Sequence, residues 1–189
     1  GTSANFNPLE ERLASVILDA RLNAMRTLVV LQGGSSQQVA EVTDRLLDTD
    51  KLPEIAGFIP LVVDAETIES NPADGETLAR RDWKWPGMGE IALIAFNADG
   101  EPSKFARLAT GDVEAAVGNA ALFIKQNAPP VRDAKTLLAS AQDDAKRTGR
   151  RLWIVCGGTR CGPCRTLARW MDRQHELLDR PEVRQVDEE

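Results

Sequence analysis

The three cysteines of the chain lie within nine residues of one another, at Cys156, Cys161 and Cys164. The last two enclose Gly162 and Pro163 in a Cys-Gly-Pro-Cys motif. Two thiols at this spacing can close into a disulfide and open again, which is the chemistry of thiol–disulfide exchange. Three cysteines in 189 residues are too few for a disulfide-dense secreted scaffold. The cluster therefore indicates chemistry rather than covalent stapling.

The motif lies between a predicted strand and a predicted helix, and this position suggests a role for each cysteine. Unpaired N–H groups and the helix dipole stabilise a thiolate at a helix start, which lowers the pKa of a thiol placed there. Cys161 is then the nucleophile, and Cys164, one turn further, resolves the mixed disulfide formed at Cys161. Pro163 suits a first helical turn. Arg160 and Arg165 flank the pair and favour the thiolate, and Arg169 and Arg173 continue the basic stripe at four-residue spacing.

Two metal sites are weaker interpretations of the same cysteines. A structural zinc site needs four ligands, and beyond the motif the chain offers only Cys156 and His175. The spacing from Cys156 matches the first three ligands of a plant-type iron–sulfur site, but a fourth thiolate is missing. We expect Cys156 to pack as a small apolar side chain and His175 to lie at the surface. No metal and no cofactor are therefore expected.

Hydrophobic periodicity predicts the elements that position the motif. Residues 65–89 are polar and rich in turn formers, which predicts a long loop. Within the helix that follows the motif, Leu167, Trp170, Met171 and Leu178 have the spacing of a packed face, and Trp153 is expected in the core. The other predicted elements are helices over 8–25, 37–50, 112–125, 133–148 and 162–179, strands over 27–31, 57–63 and 151–155, a hairpin of strands 91–96 and 102–108, and a strand beginning at 183–187.

The same order of elements begins again after Pro129 and Pro130. A shift of 124 residues aligns residues 26–40 with 150–164 without a gap, and seven of the 31 positions from residue 18 to 48 are identical. Because the element boundaries also coincide, we interpret the chain as two copies of one unit. In this alignment Gln37 and Ala40 of the first copy take the places of Cys161 and Cys164.

A strand, a Cys-Gly-Pro-Cys motif and an amphipathic helix, preceded by another helix, resemble the active site of the thioredoxin-like superfamily. The resemblance with cysteines covers residues 133–189, about the front half of such a domain. The first copy, residues 8–128, resembles a complete thioredoxin fold without the cysteines, and residues 129–132 form a linker. The resemblance implies an α/β fold with a central mixed sheet and flanking helices. It also implies dithiol–disulfide oxidoreductase activity, with protein thiols or disulfides and an upstream reductase as partners.

The chain departs from the family pattern at three points. Arg160 stands where members carry tryptophan, and Val155 stands where they carry a buried aspartate. Proton transfer from Cys164 then needs another base or water. Members also have a cis-proline before the third core strand, which the second copy does not reach and which would lie near Ile91 in the first copy.

Trp83 and Trp85 fall in the loop that, in a thioredoxin fold, lies beside the helix start where partners bind. The resemblance therefore implies a partner-binding surface there. The interpretation we favour is that both tryptophans cover the core of their own domain or the neighbouring domain. A rival for the whole chain is a non-catalytic interaction module, in which the cysteine-free first domain binds a partner.

The composition limits the other function classes. Twenty-three basic and 29 acidic residues give a formal charge of −6, which disfavours a nucleic-acid binder. No stretch reaches the roughly 18 apolar residues that span a bilayer. We expect a soluble protein, in the cytoplasm or outside it after loss of a signal peptide, and the compartment stays open.

The second copy is short for an independent domain. Fewer than 60 residues follow Pro130, and a helix–strand–helix fragment exposes a sheet edge and apolar faces. Three arrangements resolve this: a natural chain that continues past Glu189, docking on the first domain, or dimerisation by exchange of segments between two chains. We favour the first, with docking or segment exchange as its consequence for the 189-residue chain.

Overall fold

The computed structural model describes residues 8–130, 133–157, 161–174 and 183–187. Contacts between residues divide the chain into two compact units, and the main boundary lies between Ala128 and Pro129. Each unit is described below by itself. Among the described residues, no helix is both long and apolar enough to cross a bilayer.

The first unit alternates helices and strands. Its helices are α1 (Leu9–Leu22), α2 (Gln37–Leu47), α3 (Ala65–Ser70), α4 (Pro72–Arg80) and α5 (Val113–Asn127), with a 3-10 turn at Pro53–Gly57. Its strands are β1 (Arg26–Gly33), β2 (Phe58–Val63), β3 (Glu90–Phe96) and β4 (Pro102–Ala109). These bounds agree with the predicted order of elements outside residues 65–89.

The four strands form one mixed sheet in the order β2-β1-β3-β4. Strand β1 pairs with β2 in parallel and with β3 in antiparallel orientation, and β3 and β4 form an antiparallel hairpin. The central strands β1 and β3 are almost continuously apolar because helices cover both faces of the sheet. The protein therefore has the predicted α/β class, with a mixed sheet and flanking helices.

Alternate residues of β1 enter two different apolar clusters. Leu28 and Val30 face the cluster that α2 and α5 cover, whereas Val29 and Leu31 face the cluster that α1 and α4 cover. The same alternation in β3 follows from the period of two in a strand. Burial on both faces explains why these strands lack the polar residues of a half-exposed strand.

The predicted long loop at residues 65–89 is wrong over its first part, which forms α3 and α4. Its turn-forming residues begin these helices: Asp64 Oδ1 accepts from Thr67 N at 2.7 Å, and Asn71 Oδ1 accepts from Ala73 N at 3.3 Å. The buried Asp74 carboxylate accepts the Leu9 N–H at 2.7 Å and so ties α4 to the start of α1. The sequence pattern predicts a loop here because capping residues also form turns, and because the two helices are too short to show a clear helical period.

The remaining loop before β3 packs closely on the end of β1. Gly89 N donates to Gly33 O at 3.0 Å. A Cβ at Gly33 would lie 1.9 Å from Gly87 O, so only glycine fits at this point.

The second unit contains α6 (Ala134–Thr148), β5 (Trp153–Gly157), α7 (Gly162–Arg173) and β6 (Val183–Asp187). Asp133 caps the start of α6 through Lys135 N and Thr136 N, and Gly149 ends it at a φ of 68°. The strand expected at residues 183–187 is β6, which pairs with β5 in parallel. The predicted extension of α7 to residue 179 lies outside the described residues.

Candidate functional site

Cys161 and Cys164 are joined by a disulfide at the start of α7, with their Cα atoms 5.1 Å apart. Both residues are half-buried, and Pro163 between them is exposed. The disulfide therefore lies at the surface of the second unit, where another sulfur atom can approach it.

Cys161 is also the N-cap of α7. Its backbone is extended, at φ −76° and ψ 96°, and its Sγ accepts the backbone N–H of Cys164 at 3.1 Å. Gly162 and Pro163 then form the first turn, where the missing N–H of proline leaves no helical hydrogen bond unmade. The predicted placement of the motif at a strand-to-helix turn is confirmed by these contacts.

The charges around the motif favour an anionic sulfur. The first turn of α7 holds no acidic residue, and Arg165 follows Cys164 directly as a half-buried residue. The helix carries Arg165, Arg169 and Arg173 against Asp172 alone. A thiolate formed at Cys161 would therefore meet the positive end of the helix dipole and a basic helix. Arg160, the other predicted flanking cation, lies outside the described residues.

The geometry does not support a metal centre in the part of the chain that is described. No group of three or more His, Cys, Asp or Glu residues is placed there to hold a metal ion. His175 and the side chain of Cys156 lie outside the described residues. Within the described residues, the site consists of the disulfide-bonded Cys161 and Cys164.

The first unit has a matching helix start that carries no cysteine. Ser36 caps α2, and its Oγ accepts the backbone N–H of Val39 at 3.3 Å. In both helices the side chain of the cap residue accepts the backbone N–H of the residue three positions later. The acceptor is an oxygen at Ser36 and a sulfur at Cys161. The helix starts align Cys161 with Ser36 and Cys164 with Val39.

Correspondence by helix starts thus differs by one residue from the ungapped alignment that placed Gln37 and Ala40 opposite the cysteines. Strand β1 ends three residues before its helix cap, whereas β5 ends four residues before Cys161. The preference of serine for N-cap positions was the sequence signal that would have shown this shift.

Trp83 is part of the core of the first unit. It is 7% exposed and meets the Phe96 ring edge-on, with ring centroids 5.9 Å apart, while the Arg81 guanidinium lies 5.4 Å from its ring. Little of its surface is left for a partner. Trp85 is half-buried against the same cluster, and its carbonyl accepts from Arg107 at 3.4 Å. Both tryptophans thus contact the core, as in the packing interpretation.

The packed face predicted for α7 is wrong at two positions. Met171 is buried, but Leu167 is 42% exposed and Trp170 is 46% exposed. Leu178 and the side chain of Trp153 lie outside the described residues. Helical spacing identified side chains that share a face, but it could not show which of them another element covers.

No cis peptide bond occurs among the described residues. The cis-proline that the thioredoxin resemblance places near Ile91 is therefore not present in the first unit.

No family model, curated protein or solved structure matches this chain.

Proposed function

We propose that this chain is a thioredoxin-like dithiol–disulfide oxidoreductase that acts through Cys161 and Cys164. The observation that carries the proposal is a disulfide at a partly exposed helix start, in which one of the two sulfur atoms is the helix cap. A structural disulfide would join distant segments, whereas this one closes a loop of two intervening residues and constrains the unfolded chain little. Reversible chemistry is the better explanation of such a bond.

The fold supports the family assignment. In the first unit a parallel β-α-β unit is followed by an antiparallel hairpin and a last helix, with helices on both faces of the sheet. The second unit repeats the start of this order, with α6, β5, α7 and β6 and a parallel pair of strands. The shared cap geometry of Ser36 and Cys161 favours two related units, one redox-active and one not.

The proposed cycle begins with reduced Cys161 and Cys164. The Cys161 thiolate attacks one sulfur of a partner disulfide, so that a Cys161–partner bond forms and the partner's other sulfur leaves as a thiolate. Cys164 then gives its proton to a base or to water and attacks the Cys161 sulfur. The partner departs with both sulfurs reduced. Its two electrons come from the Cys161 and Cys164 thiols, which are oxidised to the internal disulfide. The Gly-Pro pair between the cysteines favours this reducing direction.

The first experiment measures iodoacetamide alkylation of the reduced protein against pH, together with the redox equilibrium of the cysteine pair with glutathione. We expect an apparent pKa for Cys161 well below the value of about 8.5 for a free thiol, and a reversible internal disulfide. Cys164→Ser should accumulate a mixed disulfide at Cys161, and Cys161→Ser should abolish turnover. Cys156→Ala is the control and should change neither result.

An unperturbed Cys161 thiol that never closes a disulfide with Cys164 would contradict the proposal. If the Cys161→Ser variant binds a partner protein as well as the parent does, the result would instead favour the interaction-module hypothesis.

A further inference from the structure

Met88 is the most exposed large apolar side chain in the part of the chain that the structure describes. It is 84% exposed, whereas the next most exposed of these side chains, Leu122, is 54% exposed. Met88 also lies outside the apolar clusters that the described residues form. Burial therefore gives no reason for a methionine at this position. What the side chain presents to solvent is a thioether, a group that oxidants attack.

The other two methionines of the chain are buried. Met25 is 7% exposed, in the small cluster with Ala20 and Ile59, and Met171 in α7 is 5% exposed. A solute reaches a buried thioether only when the structure around it opens locally, and packed segments are open only rarely. The three thioethers therefore have the same intrinsic chemistry but very different access to solvent.

A hydrogen-bonded turn holds Met88 in its exposed position. Glu90 N donates to Gly87 O at 3.1 Å, and Gly87 N donates to Glu90 Oε2 at 2.8 Å. The third residue of the turn, Gly89, has a φ of 72°, in the region that glycine favours, and its N–H donates to Gly33 O at 3.0 Å. The Met88 side chain makes none of these bonds, so a change in its chemistry leaves the turn intact.

The sulfur of Met88 lies against the backbone of Gly34, directly after β1. A Cβ added at Gly34 would lie 2.9 Å from both Sδ and Cε of Met88. Gly34 has a φ of 101° and no side chain, so the thioether rests on bare backbone. Because most of the Met88 surface faces solvent, an oxidant can approach the sulfur, and an oxygen added to it can stay in water.

We propose that Met88 is an oxidation site, which small hydroperoxides convert to methionine sulfoxide while the fold is kept. A lone pair of Sδ attacks the outer oxygen of the hydroperoxide, so that an S–O bond forms and the O–O bond breaks. The sulfur loses two electrons and the peroxide gains them. The hydroperoxide proton moves to the departing oxygen, which leaves as water or as an alcohol.

The modification converts an exposed apolar side chain into a polar one. At Met25 the same oxygen would enter an apolar cluster, where a polar group without a hydrogen-bond partner is costly. The proposed site is independent of the proposed thiol–disulfide exchange, since it uses neither Cys161 nor Cys164.

The test treats the folded chain, with its Cys161–Cys164 disulfide closed, with excess hydrogen peroxide. Peptide mass spectrometry then follows the oxidation of each methionine with time. We expect Met88 to react at least about tenfold faster than Met25 and Met171. Its rate should lie within about threefold of the rate in a synthetic peptide of residues 85–91. In urea that unfolds the chain, the three methionines should react at similar rates.

Two variants assign the fast reaction to one sulfur. Met88→Leu should remove it, whereas Met25→Leu, the matched control of similar volume, should leave it unchanged. The circular dichroism spectrum and the urea midpoint of the protein oxidised at Met88 should equal those of untreated protein.

Three results would overturn the proposal. The first is oxidation of Met88 more than about tenfold slower than in the peptide, which would show that the turn or Gly34 shields the sulfur. The second is oxidation of Met25 or Met171 in the folded chain at the rate of Met88. The third is loss of the circular dichroism signal in step with the oxidation of Met88, which would show that the fold depends on the unmodified side chain.

Discussion

Cys161 combines a covalent and a structural task in one sulfur atom. The Sγ that bonds to Cys164 also accepts the backbone N–H of Cys164, so one sulfur of the disulfide is the cap of α7. In α2 the hydroxyl of Ser36 performs the structural task alone. A substitution at residue 161 therefore changes the chemistry, the cap, or both, according to the side chain introduced.

This difference gives a prediction for two double variants that both lack redox activity. Cys161→Ala/Cys164→Ser should be less stable than Cys161→Ser/Cys164→Ser by about 0.5–2 kcal/mol, because alanine cannot cap α7 whereas serine can. Urea unfolding followed by circular dichroism measures the difference. Ser36→Ala, which removes the cap of α2, is the reference and should cost a similar amount. Equal stability of the two double variants would show that the sulfur contributes nothing to the helix start.

At the scale of elements, α1 is held to the end of α4 by charged side chains. Glu10 in the first turn of α1 accepts a hydrogen bond from Arg81 and lies near Arg80. The hydrogen bond from Arg81 is the main cause that holds the pKa of Glu10 below its usual value of 4.5, and burial opposes it. Because the folded state lowers this pKa, ionised Glu10 stabilises the fold above about pH 4.5, and that contribution is lost as pH falls through the lowered pKa.

Glu10→Gln should therefore destabilise the protein near neutral pH and have little effect in acid. The Glu10 side chain is 44% exposed, so the expected loss is only about 0.2–1 kcal/mol. Urea midpoints of the variant and the parent, measured from about pH 7 down to about pH 3, should converge in acid. Glu11→Gln, at the exposed neighbouring glutamate, is the control and should lower the midpoint less. A constant difference between variant and parent at every pH would contradict an ionic origin.

The elements that sequence predicted well are those with a strong local signal. Strands β1 and β3 are continuous apolar runs, and Asp112 marks the start of α5 as its N-cap. Helices α3 and α4 were missed because part of their stabilisation is tertiary, through the buried Asp74 carboxylate that caps α1. The spacing of Cys161 and Cys164 was enough to predict that the two thiols can close into a disulfide. The exposure of Leu167 could not be predicted, because periodicity shows which side chains share a face of a helix but not which of them another element covers.

At the scale of the whole molecule, charge is divided unevenly along the chain. Residues 1–128 hold 11 basic and 19 acidic side chains, whereas residues 129–189 hold 12 and 10. The net negative charge of the protein thus lies entirely in residues 1–128, and residues 129–189, which contain the disulfide, carry a small positive net charge. The overall charge of −6 conceals this difference between the two segments.

The first unit has a large apolar cluster on each face of its sheet and a smaller cluster of Ala20, Met25 and Ile59, and this is the organisation of an independently folding domain. We therefore expect residues 8–128, produced alone, to unfold in one cooperative urea transition. Tryptophan fluorescence from Trp83 and Trp85 reports the core, and far-ultraviolet circular dichroism reports the helices. Coincident transitions by the two probes would confirm the expectation. A gradual, probe-dependent loss of structure would show that this segment needs the rest of the chain.

The interchange of serine and cysteine as helix caps has a consequence for how such a protein changes over generations. Codons for the two residues differ by a single base, and the hydrogen bond that starts the helix is kept by either side chain. A single base change at residue 161 can therefore remove the disulfide and still leave a side chain that is able to cap α7. The reverse change at Ser36 would place a sulfur at the start of α2 but no cysteine pair, because Val39 stands where Cys164 stands in α7.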